Sequence, residues 1–475
     1  MQIETVTGTI RELATTKLDE LDARLQGPLV LPDHEDYEQV RQVWNGMIDR
    51  RPAFIVRCMT AEDVVAAVNF VRQHSLRLSV RGGGHNVAGK SVLDGAMLID
   101  LSLMRGVAVD PDNQRVRVEG GALLDDLNVE AQKYGLAVPT GVVSETGVAG
   151  LTLHGGYGWL SRKFGITIDN LASVEIVTAD GKLTHADAHT NADLFWAVRG
   201  GGGNFGVVTV FEFQAHPIEP QMWLAAPTYP ASQRKEVLAR FANFMGQAPH
   251  ELSGLASLWN APDDPEVPAE IRGKPVITTV GCYYGSVDKG KEVTKPLYEL
   301  GSSPVDFGGQ MPFVEINRFF DDDYPDGHFY YWKAAYLDRI DDEVLEILAD
   351  FHDRRPSPLS NTDIWFFGGA ISQVAPDDTA YPQRYTPFMA SVEANWTDPD
   401  QSQANIAWAR QQFEALQKHS PGGLYLNFPG FAEEEHDIED IYATNFERLS
   451  RIKAKYDPDN LFRGTFNIPP RGGGE

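Results

Sequence analysis

The chain has 475 residues, 42% of them hydrophobic and 23% charged, a globular composition in a length that predicts two domains of roughly 200 residues each. A formal net charge of -26, with no basic stripe to offset it, argues against nucleic acid as a partner. The acid is spread along the chain rather than held in one tail, so it reads as a solvated surface, with adaptation to high salt as one explanation.

No segment offers the ~18 uninterrupted apolar residues of a membrane span. Met1-Gln2-Ile3-Glu4-Thr5 lacks the basic and apolar regions of a secretory signal, so a cytoplasmic location is expected. Helical spacing runs over residues 11–25, and a second short helix is expected over 37–45. A strand at 53–57 leads into Thr60-Ala61-Glu62-Asp63, a capping box with Asp in the place of Glu, and then into an apolar-periodic helix to about His74. A buried strand at 76–80 runs straight into Arg81-Gly82-Gly83-Gly84-His85-Asn86. Strand, helix, strand marks a small α/β unit. The glycines reach φ values closed to other residues, so the backbone there presses against a ligand and still turns sharply. A histidine leaving such a turn is aimed at that ligand, although alone the motif also reads as a tight turn with a surface histidine.

Further strands are expected at 97–101, 107–109 and 115–118, and a helix at 123–134. Then come Gly141-Val142-Val143-Ser144-Glu145-Thr146-Gly147-Val148-Ala149-Gly150 and His154-Gly155-Gly156-Tyr157-Gly158. Strands at 173–178 and 207–213 bracket a third glycine-rich stretch, Gly200-Gly201-Gly202-Gly203-Asn204-Phe205-Gly206. Pro217 and Pro220 mark a change of composition. From about Gln221, long aromatic strands alternate with helices at 234–245, 341–354 and 401–418, the pattern of an antiparallel sheet covered on one face by helices. In the strand from Phe388, period two sets Ser391, Glu393 and Asn395 on one face and Phe388, Ala390, Val392 and Ala394 on the other, which suits the helices. Lys333, in Tyr330-Tyr331-Trp332-Lys333, reads either as the polar mark of a binding face or as a snorkelling edge lysine. The last segment holds Tyr425-Leu426-Asn427-Phe428 and a helix over 442–455. Cys58 and Cys282 sit beside apolar residues and read as buried free thiols rather than a disulfide or a metal site.

In order and spacing these motifs, with Asn445-Phe446-Glu447-Arg448-Leu449 and Lys453-Ala454-Lys455-Tyr456-Asp457-Pro458 near the end, resemble the berberine-bridge-enzyme-like flavoproteins. That family lies within the vanillyl-alcohol-oxidase group, whose members carry a PCMH-type FAD-binding domain. The resemblance runs from about Pro52 onward and is strongest over residues 81–208. It implies an α+β fold with a two-part FAD-binding domain, residues 1–217 and 425–475, whose PCMH-type core spans about 49–219. A substrate domain at 218–424 is inserted between the parts.

The resemblance further implies that His85 is bonded to the flavin's 8-methyl carbon, which raises the flavin's potential and fixes its ring. Around the flavin it places Arg81, Gly82, Gly83, Gly84 and Asn86, then Gly141, Thr146, Gly147 and Gly150. His154, Gly155, Tyr157, Gly203, Asn204, Gly206, Val207, Asn427 and Asn445 complete the set. His154 also reads as packing, and the two asparagines as turn or capping residues. A Rossmann fingerprint is not met: neither Gly147-Val148-Ala149-Gly150 nor the stretch from Gly200 to Gly206 joins a first strand to a helix in the required pattern.

Many relatives add a second bond from a cysteine in Gly-x-Cys-x-x-x-Gly. Val143 holds that position, so one bond through His85 is expected. The family's usual base is a tyrosine of Tyr-x-Asn-Tyr, helped by a tyrosine of the glycine-rich stretch. Tyr157 matches the helper, but Phe428 stands where the base should be. Alternation in an extended segment sends Tyr425 and Phe428 to opposite faces. Tyr425, Lys333 and Glu393 therefore remain as candidates. Glu393 reads as a carboxylate raised toward neutrality by burial, or as a solvent-facing side chain. Thr146 stands near the gate for oxygen, and its small size favours an oxidase that removes a hydride from an alcohol or amine carbon of a small metabolite and yields hydrogen peroxide. The alternatives are a dehydrogenase with another acceptor and a flavin-binding module without catalysis.

Overall fold

The computed structural model describes residues 1–302, 305–430, 438–464 and 466–471. Its first α/β unit is a four-stranded sheet in the order Leu29–Val30, Phe54–Arg57, Met97–Asp100, Leu78–Arg81. The strands Phe54–Arg57 and Leu78–Arg81 both run parallel to Met97–Asp100. The helix Ala61–His74 is the crossover that carries the chain from Phe54–Arg57 to Leu78–Arg81, so that the two run in the same direction on either side of Met97–Asp100. That helix opens with the expected box: Thr60 Oγ1 accepts from the Asp63 N–H at 3.3 Å, and the Asp63 carboxylate accepts from the Thr60 N–H at 3.3 Å. A five-stranded antiparallel sheet follows, in the order Leu183–Asp187, Leu171–Val177, Val207–Gln214, Arg115–Glu119, Val107–Asp110.

The second half is a nine-stranded antiparallel sheet whose longest members are Leu252–Asn260, Pro275–Tyr283, Phe329–Leu337, Asn361–Phe366 and Phe388–Trp396. The helices Arg234–Met245, Asp342–Asp353 and Ser402–Gln417 cover one face, where Phe241, Leu348 and Trp408 pack with Ile364, Ala390 and Val392. The expected alternation holds: Met389, one residue from Ala390, packs into the opposite cluster with Tyr157, Trp365 and Tyr425. The fold is α+β, with the sheet covered on one face as its period-two strands and amphipathic helices dictate.

The closing helix Phe446–Tyr456 returns to the first half, and Phe446, Leu449 and Ile452 pack into one core with Phe211 and Phe213. Cys58 and Cys282 are both buried and free. Among the described residues no helix is long and apolar enough to cross a membrane.

Four expectations fail locally. The first helix is Thr15–Asp22, because Ile10–Glu12 pairs instead with Gln2–Glu4. The second is only Tyr37–Val40, because Asn45 turns its side chain onto the carbonyls of Val87 and Tyr330. The strand before the glycines is Leu78–Arg81, since Leu76 makes a bridge with Thr5. The segment from Tyr425 to Phe428 is a turn closed by the Phe428 N–H on the Tyr425 carbonyl at 3.0 Å, so the two rings meet edge-on at 5.3 Å instead of facing apart.

Candidate active site

The strand Leu78–Arg81 ends in a backbone that touches the second glycine-rich stretch. A Cβ on Gly83 would lie 2.5 Å from the Gly147 Cα, and a Cβ on Gly147 would lie 2.5 Å from the Gly83 N. No larger residue fits on either side of that contact. Gly84 then takes φ +73° and turns the chain so that His85 leaves it pointing inward.

These residues wall a cavity of about 490 Å³. Its lining joins the first glycine stretch, Gly82 to Asn86, to Gly141, Val143, Thr146, Gly147, Gly150, His154 and Tyr157. Gly203, Gly206 and Val207 belong to it too, as do Trp332, Trp365 and Met389 of the large sheet and Tyr425, Asn427 and Phe428. A Cβ on Gly150 would meet nothing within 4 Å, and one on Gly203 would come no nearer than 4.0 Å to its neighbours. The missing side chains of these two glycines leave open space in the cavity wall, which is what a large planar cofactor requires.

Substituting Gly150 by leucine should fill that space without disturbing the backbone. Measured in a His85→Ala background, so that no bond at that residue can mask the equilibrium, the variant is expected to fold with an unchanged thermal midpoint as apoprotein and to bind FAD at least about tenfold more weakly by fluorescence titration. Unchanged FAD affinity would exclude Gly150 from the cradle.

His85 is half-buried, its ring stacks on Trp44 at 3.9 Å, and its Nε2 is shut off from solvent without a hydrogen-bond partner. Burial pushes its pKa down to about 4, so the imidazole is neutral and keeps a free lone pair. An unpaired ring nitrogen on a histidine that lines a glycine-walled cavity fits a covalent tether to a flavin.

Tyr157 donates its hydroxyl to the Phe366 carbonyl at 2.8 Å, and burial raises its pKa well above the usual tyrosine range. Its proton is therefore committed to a backbone oxygen. The Tyr425 hydroxyl accepts from the Asn427 amide at 3.1 Å. Burial pushes Tyr425 up to about 12, while Asn427 and the Tyr157 backbone act against that rise.

Glu393 is buried, which corrects its reading as a solvent-facing side chain. It accepts from the Tyr324 hydroxyl at 2.6 Å and from Ser391 at 2.7 Å. Asn361 bridges Glu393 and Asp363, at 3.3 and 3.0 Å. Burial first, and then the Asp363 charge, hold the Glu393 carboxyl far above the ordinary range. Glu393 stands behind the cavity wall rather than in it: its sheet partner Trp332 and its same-face neighbour Met389 are the lining residues.

Five sequence candidates stand elsewhere. Lys333 places its ammonium over the Phe413 ring at 4.5 Å, on the helix-covered face, because alternation turns it away from Trp332. It does not reach the cavity and is no base for it. Arg81 pairs with Asp100 at 2.8 Å and donates to the Gln42 carbonyl, so it braces the strand rather than lining this cavity. Gly155 lies under the Tyr381 ring. Asn204 bonds to the backbone of Gly201, Phe466 and Ile468, and Asn445 to the carbonyls of Pro376 and Thr379. These four hold the walls in place.

Trp332, Trp365 and Met389 went unnoticed in the sequence, although the alternation that singles out Glu393 also puts Met389 on its face. Trp44, Lys90 and Arg463 carry no motif at all, yet Lys90 and Arg463 line the cavity.

Two family descriptions match the sequence: FAD binding domain over residues 52–187, and berberine and berberine like over residues 424–469. An uncharacterized FAD-linked oxidoreductase of Bacillus subtilis (strain 168) is 31% identical over 458 residues, covering 94% of this chain and 98% of that protein. The (R)-6-hydroxynicotine oxidase of Paenarthrobacter nicotinovorans is 30% identical over 460 residues, covering 94% of this chain and 98% of its own. The solved structure of 6-hydroxy-D-nicotine oxidase from Arthrobacter nicotinovorans superposes with a TM-score of 0.83 at 27% identity, covering 97% of this chain and 100% of that one.

Proposed function

The chain belongs to the berberine-bridge-enzyme-like FAD-linked oxidoreductases, and on that premise we propose that it is an oxidase of small amines or alcohols whose flavin hangs on His85 alone. The observation that carries this reading is His85 itself, neutral and without a partner at its buried Nε2, in the wall of a cavity built from glycines. FAD, when bound, would supply the acceptor for a hydride, that is, for two electrons and one proton together. The protein's part is placement and proton transfer.

Gly83 and Gly147 let two backbones close on the cofactor, and Gly150 and Gly203 leave room for it. Val143 lines the cavity where a second bond from cysteine would form, and valine cannot make one. Thr146 keeps the gate small and lets oxygen reach the flavin, with peroxide as the product. Residues 1–217 and 425–475 form the part that holds FAD, a division supported by the packing of Phe446 and Leu449 with Phe211. Residues 218–424 hold the substrate. A hydride leaves only a neutral amine or an ionising alcohol, so a base must take the proton. Glu393, on the cavity side of the sheet behind Trp332, is the candidate for that role once Trp332 turns aside, and Tyr425, which lines the cavity, is the alternative. An amine is favoured by the name of the nicotine-oxidising relative.

Acid precipitation tests the tether directly. The wild-type pellet should be yellow, and that of His85→Ala colourless, with FAD in the supernatant. A panel of secondary amines and alcohols should bleach the flavin and yield peroxide in air. A colourless wild-type pellet would end the tether, and bleaching in air without peroxide would end the oxidase reading.

A further inference from the structure

We infer that Trp44 is the positioning residue that fixes the His85 ring for its bond to the flavin, an inference that rests on the proposed attachment at His85. A histidine after three glycines stands on the most pliable backbone available, and its ring is free to rotate unless something packs on it. The Trp44 indole does so, 3.9 Å away and inclined by 19°. Its other face stacks on Tyr330 at 3.8 Å and 10°. The indole N–H donates to the Tyr324 carbonyl at 2.8 Å, which prevents the indole itself from turning.

The backbone beneath is clamped as firmly. Asn45 is fully buried and donates to the carbonyls of Val87, two residues after His85, and of Tyr330, at 2.8 and 2.9 Å. The Gly327 N–H donates to the Trp44 carbonyl at 2.9 Å, and the Gly46 N–H to the His328 carbonyl at 2.8 Å. The segment around Trp44 thus ties the histidine loop to the start of the strand Phe329–Leu337. It lies outside the residues that match the FAD-binding family, which begin at residue 52.

The bond in question joins a carbon to a nitrogen. The 8-methyl carbon loses one C–H, the imidazole loses its N–H, and the two protons and two electrons released go to dioxygen as hydrogen peroxide. Such a step demands that one ring nitrogen be held at the carbon, and orientation of this kind governs its rate. The same tryptophan reaches toward the proton-transfer group: Tyr324, whose carbonyl holds the indole, gives its hydroxyl to Glu393 at 2.6 Å.

The test follows covalent flavin rather than turnover. Wild type, Trp44→Phe and Trp44→Leu are purified as apoprotein from riboflavin-limited cells and mixed with FAD. Acid-quenched samples are then divided into pellet and supernatant over time. Wild type should carry its flavin in the pellet. Trp44→Phe keeps a stacking ring but loses the N–H bond, and should link several-fold more slowly. Trp44→Leu should bind FAD and leave less than about a tenth of it in the pellet. Linkage of Trp44→Leu at the wild-type rate overturns the inference while the tether stands. Should the leucine variant hold no flavin, the phenylalanine variant decides, and wild-type speed in it overturns the inference. Wild-type flavin found wholly in the supernatant overturns both the inference and the attachment.

Discussion

Glu393→Gln should reduce its flavin about a hundredfold more slowly than wild type under anaerobic stopped flow, with FAD content unchanged. The amide matches the carboxylate in size, its oxygen still accepts from the Tyr324 hydroxyl, and its NH2 group can donate to the Ser391 hydroxyl in place of the second carboxylate oxygen, so the wall behind Trp332 stays intact. What it loses is the capacity to take a proton. The pH profile carries the sign. A base works when ionised, and burial together with Asp363 holds the Glu393 carboxyl above its ordinary range, so wild-type reduction should climb as pH rises through neutrality and then level off. Asp323 adds a third acid beside Asp363. Asp363→Asn removes one of the repelling charges and should move the climb to lower pH. Stability runs the other way. The folded protein keeps a proton that the unfolded chain gives up, so the thermal midpoint should fall as pH rises from the usual carboxylate range through the raised value, and Glu393→Gln should flatten that fall. Wild-type reduction rates in Glu393→Gln would transfer the role to Tyr425, which lines the cavity.

The parts of this site legible in the sequence are those where the backbone itself is the constraint. Gly83 and Gly147 touch, and no other residue permits that contact, so the glycine runs announce themselves. The strand Phe388–Trp396 is also legible, because a strand buried on both faces still sorts its polar residues to one side. Applied to Lys333, the same alternation sets it opposite Trp332 and toward the helices. Its polarity among aromatic residues drew attention to a binding face, but register decides where a side chain goes. Tyr425 and Phe428 show the reverse failure: alternation presumes an extended chain, and here a single N–H to carbonyl bond makes a turn. Asn204 and Asn445 have side chains that suit a flavin and a neighbouring carbonyl equally well, and only the fold shows which they meet. Trp44 is legible nowhere, because its value lies in contacts to residues 41 and 286 positions away, His85 and Tyr330.

Lys453→Met should destabilise the protein by about 3–5 kcal/mol, the cost of leaving a buried carboxylate without its cation. Lys453 and Asp457 are both fully buried and form an ion pair at 2.5 Å. The ammonium also donates to the Asn204 carbonyl at 2.7 Å and to the Phe462 carbonyl, while the Asp457 carboxylate accepts the N–H groups of Leu461 and Phe462 at 2.8 Å. The pair therefore welds the closing helix Phe446–Tyr456 to two pieces of cavity wall, Phe462 and the residue after Gly203. Methionine keeps the bulk and strands the aspartate. Removing both charges, as Lys453→Met with Asp457→Leu, should cost less than the single change, since no charge is then left buried. Denaturant midpoints of the three proteins measure this, and a double variant worse than the single would refute it. Because Phe462 and Gly203 line the cavity, Lys453→Met should also release FAD more readily in His85→Ala, where no tether hides the loss. A fall in stability with FAD affinity unchanged would mean that the closing helix serves the core and leaves the cofactor to the glycines.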